Sequence, residues 1–365
     1  MPSTITKFAR DLGRFKREGM PKYVLWSINN HCNVVCTTCK FYLTPKKDWV
    51  DLEVDRAERA LDMLHRSNFR YVSLTGGEPL LHPGFFDICE AVNRRGMELT
   101  YIPTNGTLVD DEVAARLKRV NPKVVGLSVE PIGEDGMGHT RKIKNFPEVL
   151  RRASQALHRA GVPTYAQPLL SRHTLDISEC MEMVRDLGFT RISFSYPQVH
   201  EGPYIAARDI PELHLTLPEV EDMVRQIKAA KRNFPDIAIY NTDESLDDFL
   251  RFYRGEPARH PCLGGQRLFY MNHKLDIYRC FTLPTHYGNA LEMERFDFEE
   301  PETCAACTQQ AFRDVGPVYT GAQSAVDAIA QLGRGRPLQA FRAITDPHAV
   351  AGIRALVENF RGGFL

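Results

Sequence analysis

The chain has 365 residues, enough for one large domain and a smaller companion. Lys plus Arg and Asp plus Glu number 46 each, so no global field draws the protein to nucleic acid or to an anionic membrane. No apolar run is long enough to span a membrane, and the first residues lack the apolar stretch of a secretory signal, so a cytoplasmic protein is expected.

Residues 1–21 form an expected N-terminal helical extension, with Ile5, Phe8, Leu12 and Phe15 at near-helical spacing. Such a segment can lie on a membrane surface, but a helix packed on the main domain is the simpler reading. From residue 22 to about 200, runs rich in β-branched and aromatic residues alternate with stretches of helical period. Strands are expected at 22–28, 70–74, 98–102, 123–129, 163–168 and 190–195. Helices fall between them near 54–66, 84–95, 109–119, 145–160 and 175–187. Six repeats of strand and helix call for parallel strands with right-handed crossovers, and hence an active site at the carboxyl ends of the strands. A connecting segment, 201–261, follows, with a helix around 218–233, a short strand at 236–240 and a helix near 245–254. Residues 262–308 are cysteine-rich and hold an expected hairpin, Leu268–Met271 and Leu275–Tyr278 turning through Asn272–Lys274. The tail, 309–365, reads as helices and loops.

Nine cysteines, an odd number, argue against a disulfide framework. In a reducing compartment clustered cysteines bind metal or do redox chemistry more often than they crosslink. Cys32, Cys36 and Cys39 occupy the loop after the first strand. Three thiolates can hold a cubane iron–sulfur cluster with one iron left open, as a catalytic site needs; a zinc site with a remote fourth ligand is the bland alternative.

The spacing Cys32-x3-Cys36-x2-Cys39 after a first strand resembles the signature of the radical S-adenosylmethionine (SAM) superfamily. The resemblance implies a partial (βα)6 TIM-like barrel, α/β in class. It also implies a [4Fe–4S] cluster whose open iron is chelated by SAM, and a reductant such as flavodoxin or ferredoxin. Reductive cleavage of SAM would give a 5′-deoxyadenosyl radical that abstracts hydrogen from substrate. One departure is Thr38, where the family usually carries an aromatic residue. After the second strand, Gly76-Gly77-Glu78-Pro79 resembles the element that binds the methionine amine of SAM. Its glycines allow close backbone approach, and Glu78 offers an acceptor. Thr104-Asn105 after the third strand and Ser128 at the end of the fourth resemble further SAM contacts. Arg141 resembles the arginine that reaches the SAM carboxylate, with Lys142 as a competitor and Gln167 a further candidate.

Cys262, Cys280, Cys304 and Cys307 could complete a tetrahedral zinc site or a fully ligated iron–sulfur cluster. Their order, with a hairpin, then Gly288-Asn289, then Cys-x-x-Cys, resembles the twitch form of the SPASM domain. That resemblance implies one auxiliary [4Fe–4S] cluster. Cys89 and Cys180 fall within expected helices and read as core residues.

The four-cysteine pattern resembles that of the aminocyclitol dehydrogenase branch. A complete auxiliary ligand set without an evident thiol donor favours oxidation of a small polar molecule, with the auxiliary cluster taking an electron. Maturation of a ribosomally made peptide is the main alternative. The twenty or so residues before the first strand are too few for a leader-peptide-binding domain. Epimerisation stands beside peptide maturation as an alternative, and a non-catalytic zinc- or cluster-binding protein ranks lower. Substrate is expected at the barrel mouth, near Tyr196, Gln198, His200, Glu201 and Tyr204.

Overall fold

The computed structural model describes residues 19–198, 210–260, 262–300 and 304–361. The expected N-terminal helix and the candidate substrate residues His200, Glu201 and Tyr204 lie outside them.

Six strands alternate with five helices in the order expected. These are β1 (Lys22–Ser27), α1 (Val54–Arg66), β2 (Phe69–Thr75), α2 (Phe85–Arg94), β3 (Glu98–Thr104), α3 (Asp111–Val120), β4 (Val124–Val129), α4 (Phe146–Arg159), β5 (Thr164–Pro168), α5 (Ile177–Asp186) and β6 (Arg191–Ile192). Neighbouring strands pair in parallel from β1 to β6. Two of these helices, α3 and α5, begin where a side chain satisfies first-turn amides: Asp110 accepts from the Val113 N–H and Asp176 from those of Ser178 and Glu179. Helix α3 stops at Asn121, which takes the left-handed conformation.

Side chains alternate across each strand, and the two faces of the sheet differ in chemistry. Val24, Trp26, Val72, Leu74, Leu99, Val125, Leu127 and Ala166 are fully or almost fully buried in one core with the helices. The other face carries polar and tyrosine side chains. Tyr23 bonds Ser73, Ser73 lies 2.9 Å from Thr100, Tyr101 donates to Gln167, and Gln167 donates to Ser195 at 2.9 Å. The rings of Tyr101, Tyr165 and Tyr240 stack in sequence. The fold is therefore the expected partial TIM-like barrel with a polar, aromatic interior.

After residue 209 come α6 (Leu217–Asn233), β7 (Ala238–Ile239) and α7 (Asp243–Tyr253). Both β6 and β7 are two residues long, shorter than their sequence patterns suggest. The carboxamide of Asn241 accepts from the Phe194 N–H at 2.8 Å and donates to the Phe194 carbonyl at 2.9 Å. A side chain thus takes over the backbone groups a longer ladder would have paired.

The cysteine-rich segment continues the barrel sheet. Its strand β8 (Leu268–Met271) pairs in parallel with β1, and β9 (Asp276–Tyr278) and β10 (His286–Asn289) follow antiparallel. The result is one ten-stranded sheet, β10-β9-β8-β1-β2-β3-β4-β5-β6-β7, whose outer strands β10 and β7 do not pair with each other. Four helices close the chain: α8 (Gln310–Arg313), α9 (Val315–Gly333), α10 (Pro337–Thr345) and α11 (Pro347–Arg361). Tyr319 on α9 donates to the Pro21 carbonyl at 3.1 Å, which ties the tail to the entrance of β1. Among the described residues no helix is long and apolar enough to cross a membrane.

Candidate active site and auxiliary cysteine site

The loops after β1, β2, β3 and β4 meet at the carboxyl end of the barrel. Asn29, fully buried, joins the first two: its Oδ1 accepts from the Gly77 N–H and its Nδ2 donates to the Glu78 carbonyl, both at 2.9 Å. The Glu78 N–H donates to the His31 carbonyl at 3.0 Å. This contact explains both glycines. A Cβ at Gly76 would lie 2.0 Å from Asn29 Oδ1, and one at Gly77 would lie 1.8 Å from the His31 carbonyl oxygen. The glycines are thus needed by the neighbouring loop, where the sequence pattern assigned their space to a ligand.

Glu78 turns inward and is 2% exposed. Its carboxylate accepts from the Thr104 hydroxyl at 2.9 Å, the Asn105 N–H at 2.8 Å and the Leu80 N–H at 3.3 Å. Burial raises its pKa to about 7 against the pull of these three donors. Pro79 begins the short 3-10 turn Pro79–Leu81. Asn105 continues the chain of contacts: its Nδ2 donates to Asn33 Oδ1 at 3.0 Å and lies 3.7 Å from Cys32 Sγ.

Glu130, at the end of β4, is 3% exposed and organises the other side of the cysteine loop. It accepts from the Thr140 N–H at 3.0 Å, the Thr140 hydroxyl at 2.5 Å, the Arg141 N–H at 2.7 Å and Arg141 Nη1 at 3.2 Å. Residues 140–142 then run antiparallel to the cysteine loop. Thr37 N–H donates to the Thr140 carbonyl and Lys142 N–H to the Val35 carbonyl, each at 2.9 Å, and Cys36 bridges Arg141. Arg141 therefore sits at the thiols, while the backbone of Lys142 serves the loop. Sequence reasoning missed Asn29 and Glu130 as organisers, since the partners of each lie in other loops. Ser128 and Gln167 are register partners on β4 and β5, and Gln167 is committed to Tyr101 and Ser195.

The three thiols influence one another and share a demanding environment. Burial, then the Glu78 charge, pushes Cys32 up to about 12; burial pushes Cys36 up to about 11 although Arg141 opposes it. Burial also raises Cys39, again against Arg141. His31, 3% exposed, stacks on Trp49 with ring centroids 4.3 Å apart and lies 3.0 Å from Asp51.

Cys262, Cys280, Cys304 and Cys307 come together at the edge formed by β8, β9 and α8. Cys262 and Cys304 form an isolated antiparallel bridge. Amide N–H groups point at the sulfurs: Gly264 at Cys262 (3.3 Å), Leu283 and Thr282 at Cys280 (3.3 and 3.4 Å), and Ala306 at Cys304 (3.4 Å). Burial raises Cys262 to about 12, with neighbouring Cys307 and Cys304 adding to the rise. Cys89 and Cys180 stand apart, at most 1% exposed, in the helix-facing core. Tyr196 is 3% exposed, stacks on Phe249 and is within reach of Asn241; Gln198 is also buried.

The profile described as the Radical SAM superfamily matches residues 26–187, the span that holds β1 to α5 and the first three cysteines. The chain belongs to the radical SAM superfamily. It is 31% identical to "Uncharacterized protein MJ0907" of Methanocaldococcus jannaschii over 73% of this chain and 86% of that one. It is 22% identical to an "AdoMet-dependent heme synthase" of Methanosarcina barkeri (strain Fusaro / DSM 804), over 74% of this chain and 80% of that protein. It covers only 51% of an "Fe-coproporphyrin III synthase" from the same organism and 40% of the subtilosin biosynthesis protein AlbA of Bacillus subtilis (strain 168). In fold it resembles Streptococcus suis SuiB bound to precursor peptide SuiA, with TM-score 0.61, 15% identity, and coverage of 82% and 71%.

Proposed function

We propose that this protein is a radical SAM enzyme that oxidises its substrate by hydrogen abstraction. Cys32, Cys36 and Cys39 would hold one [4Fe–4S] cluster, and Cys262, Cys280, Cys304 and Cys307 a second. The donor sets fit these groups. Thiolates gathered in one place, several of them receiving amide N–H groups, suit iron–sulfur ligation.

When bound, the first cluster and SAM supply a 5′-deoxyadenosyl radical for hydrogen abstraction, and the second cluster supplies a redox centre for the remaining electron. The chain's own residues prepare that chemistry. Asn29 and Glu78 lock three loops into one rigid rim. Arg141, beside Cys36 and Cys39, favours their thiolates and offers a cation to the SAM carboxylate. The backbone of Gly76–Pro79, together with Thr104, Asn105 and Ser128, would line the rest of the SAM site. In this role Glu78 is a bracket, holding Thr104 and Asn105 in place. Buried tyrosines in the barrel interior keep their hydroxyls protonated, because burial raises the pKa of Tyr23, Tyr101, Tyr165 and Tyr240. They present neutral hydroxyls and ring faces toward the barrel interior.

The observation that carries the oxidative reading is the disposition of the nine cysteines. Seven belong to the two ligand sets, and Cys89 and Cys180 are sealed in the helix-facing core. No thiol is left to return hydrogen to carbon, as an epimerase would require. Incubation of reduced, reconstituted protein with candidate substrates in deuterated water tests this. An oxidised product is expected, with one 5′-deoxyadenosine formed per turnover; deuterium-labelled product at an unchanged oxidation level would refute it. A peptide substrate is the second reading, supported by the open barrel between β10 and β7 and the fold shared with peptide-bound SuiB.

A further inference from the structure

The net charge of zero conceals a local surface on the C-terminal helices. Five large apolar side chains stand in solvent around the corner joining α9 to α10: Leu338 and Phe341 are each 62% exposed, Leu332 is 58%, Ile329 is 45% and Ile344 is 39%. Leu338, Phe341 and Ile344 recur every third residue and share one side of α10; Ile329 and Leu332 do the same on α9. Soluble surfaces seldom gather so many large apolar side chains without a partner. Arg334, Arg336 and Arg342 are exposed among them, and no acidic residue occurs between Asp327 and Asp346. Both flanking acids accept hydrogen bonds: Asp327 from Gln323 Nε2 and Asp346 from the His348 N–H, each at 2.9 Å.

A basic, apolar corner selects among occupants. A second copy meeting this face about a two-fold axis would bring six guanidinium groups together. An anionic lipid surface matches both features: headgroups pair with arginine while Leu338 and Phe341 enter the acyl boundary. Elsewhere in the sequence, residues 1–18 carry Lys7, Arg10, Arg14, Lys16 and Arg17 against Asp11 and Glu18.

We propose that the α9–α10 corner, with Arg334, Arg336, Arg342, Leu332, Leu338 and Phe341, docks this protein peripherally on anionic membranes. The test is flotation of the full-length, reconstituted protein with vesicles of phosphatidylcholine alone or with about 30% phosphatidylglycerol. Binding is expected only to the anionic vesicles, and less of it at high salt. Arg334→Glu/Arg336→Glu/Arg342→Glu should lower partitioning on the order of 100-fold, and Leu338→Ser/Phe341→Ser at least about tenfold. Both variants change exposed side chains and should keep wild-type iron content and thermal midpoint. No binding to anionic vesicles would overturn the proposal, as would equal binding to neutral ones. A dimer dissolved by Leu338→Ser/Phe341→Ser, without vesicle binding, would assign the face to a second copy. Retention on immobilised polyglutamate without vesicle binding would assign it to an acidic protein. Vesicle binding that survives both variants and is lost when the five basic residues of 1–18 become serine would move the activity off this corner.

Discussion

Gly77→Ala is the sharpest probe of how the site is built. The added Cβ would lie 1.8 Å from the His31 carbonyl oxygen, 2.2 Å from its carbon and 2.8 Å from the Cys32 nitrogen. All three are backbone atoms, so relief requires about 1.6 Å of separation between the β1 and β2 loops. That separation breaks the Glu78-to-His31 hydrogen bond, costing about 1 kcal/mol, and overpacking adds roughly 1–3 kcal/mol. It also moves Cys32, and displacement by an ångström or so at a reacting centre costs on the order of 100-fold in rate. The assay compares iron content and SAM cleavage, by 5′-deoxyadenosine release, in wild type and variant. Loss of about four irons per chain together with loss of cleavage is expected. Wild-type iron content with only a weakened affinity for SAM would refute the argument. Gly77 would then be a ligand contact, as the motif alone suggested, and the loop contact would be incidental.

Other outcomes follow from the same geometry. Glu130→Gln removes the charge facing Arg141 and puts an amide donor among four donors; SAM affinity and first-cluster iron should both fall, and unchanged values would exclude its organising role. Burial raises Asp314 to about 7 from an ordinary 3.8, so the folded state holds a proton that the unfolded chain releases. Its contribution is complete below about pH 4 and is lost as pH rises through about 7, for a total of roughly 4 kcal/mol. Asp314→Asn should therefore flatten the fall in thermal midpoint between pH 5 and 8, provided the amide keeps its bond to Asn241; an unchanged slope would contradict the raised pKa. Cys89→Ala and Cys180→Ala should cost about 1 kcal/mol of stability each and leave product identity unchanged. Loss of turnover in Cys180→Ala, with iron intact, would overturn the argument against a thiol donor.

The barrel was legible because its signals are local and repeated. Helix α1 falls at Val54–Arg66, where Ala57, Leu61 and Leu64 recur at helical spacing, and β1 to β5 fall on the β-branched runs. The short β6 and β7 were not legible, since Asn241 gives no sign in sequence that its side chain will take up the Phe194 backbone. Pairing of β8 with β1 was hidden for a related reason: a parallel partner some 240 residues away leaves no local trace. At the site, cysteine spacing located the loops, but the work of Gly77, Glu78 and Glu130 depends on which loop each one touches. Their residue types were readable; their partners were not.

Two cluster sites with separate ligand sets are central to the proposed chemistry. The most direct measurement is iron and sulfide per chain after anaerobic reconstitution, in wild type, in Cys32/Cys36/Cys39→Ala and in Cys262/Cys280/Cys304/Cys307→Ala. About eight irons in wild type, falling to about four in each variant, is the expected result. About four irons plus one zinc in wild type, with the zinc lost from the four-cysteine variant, would contradict it and remove the second redox centre from the proposed reaction.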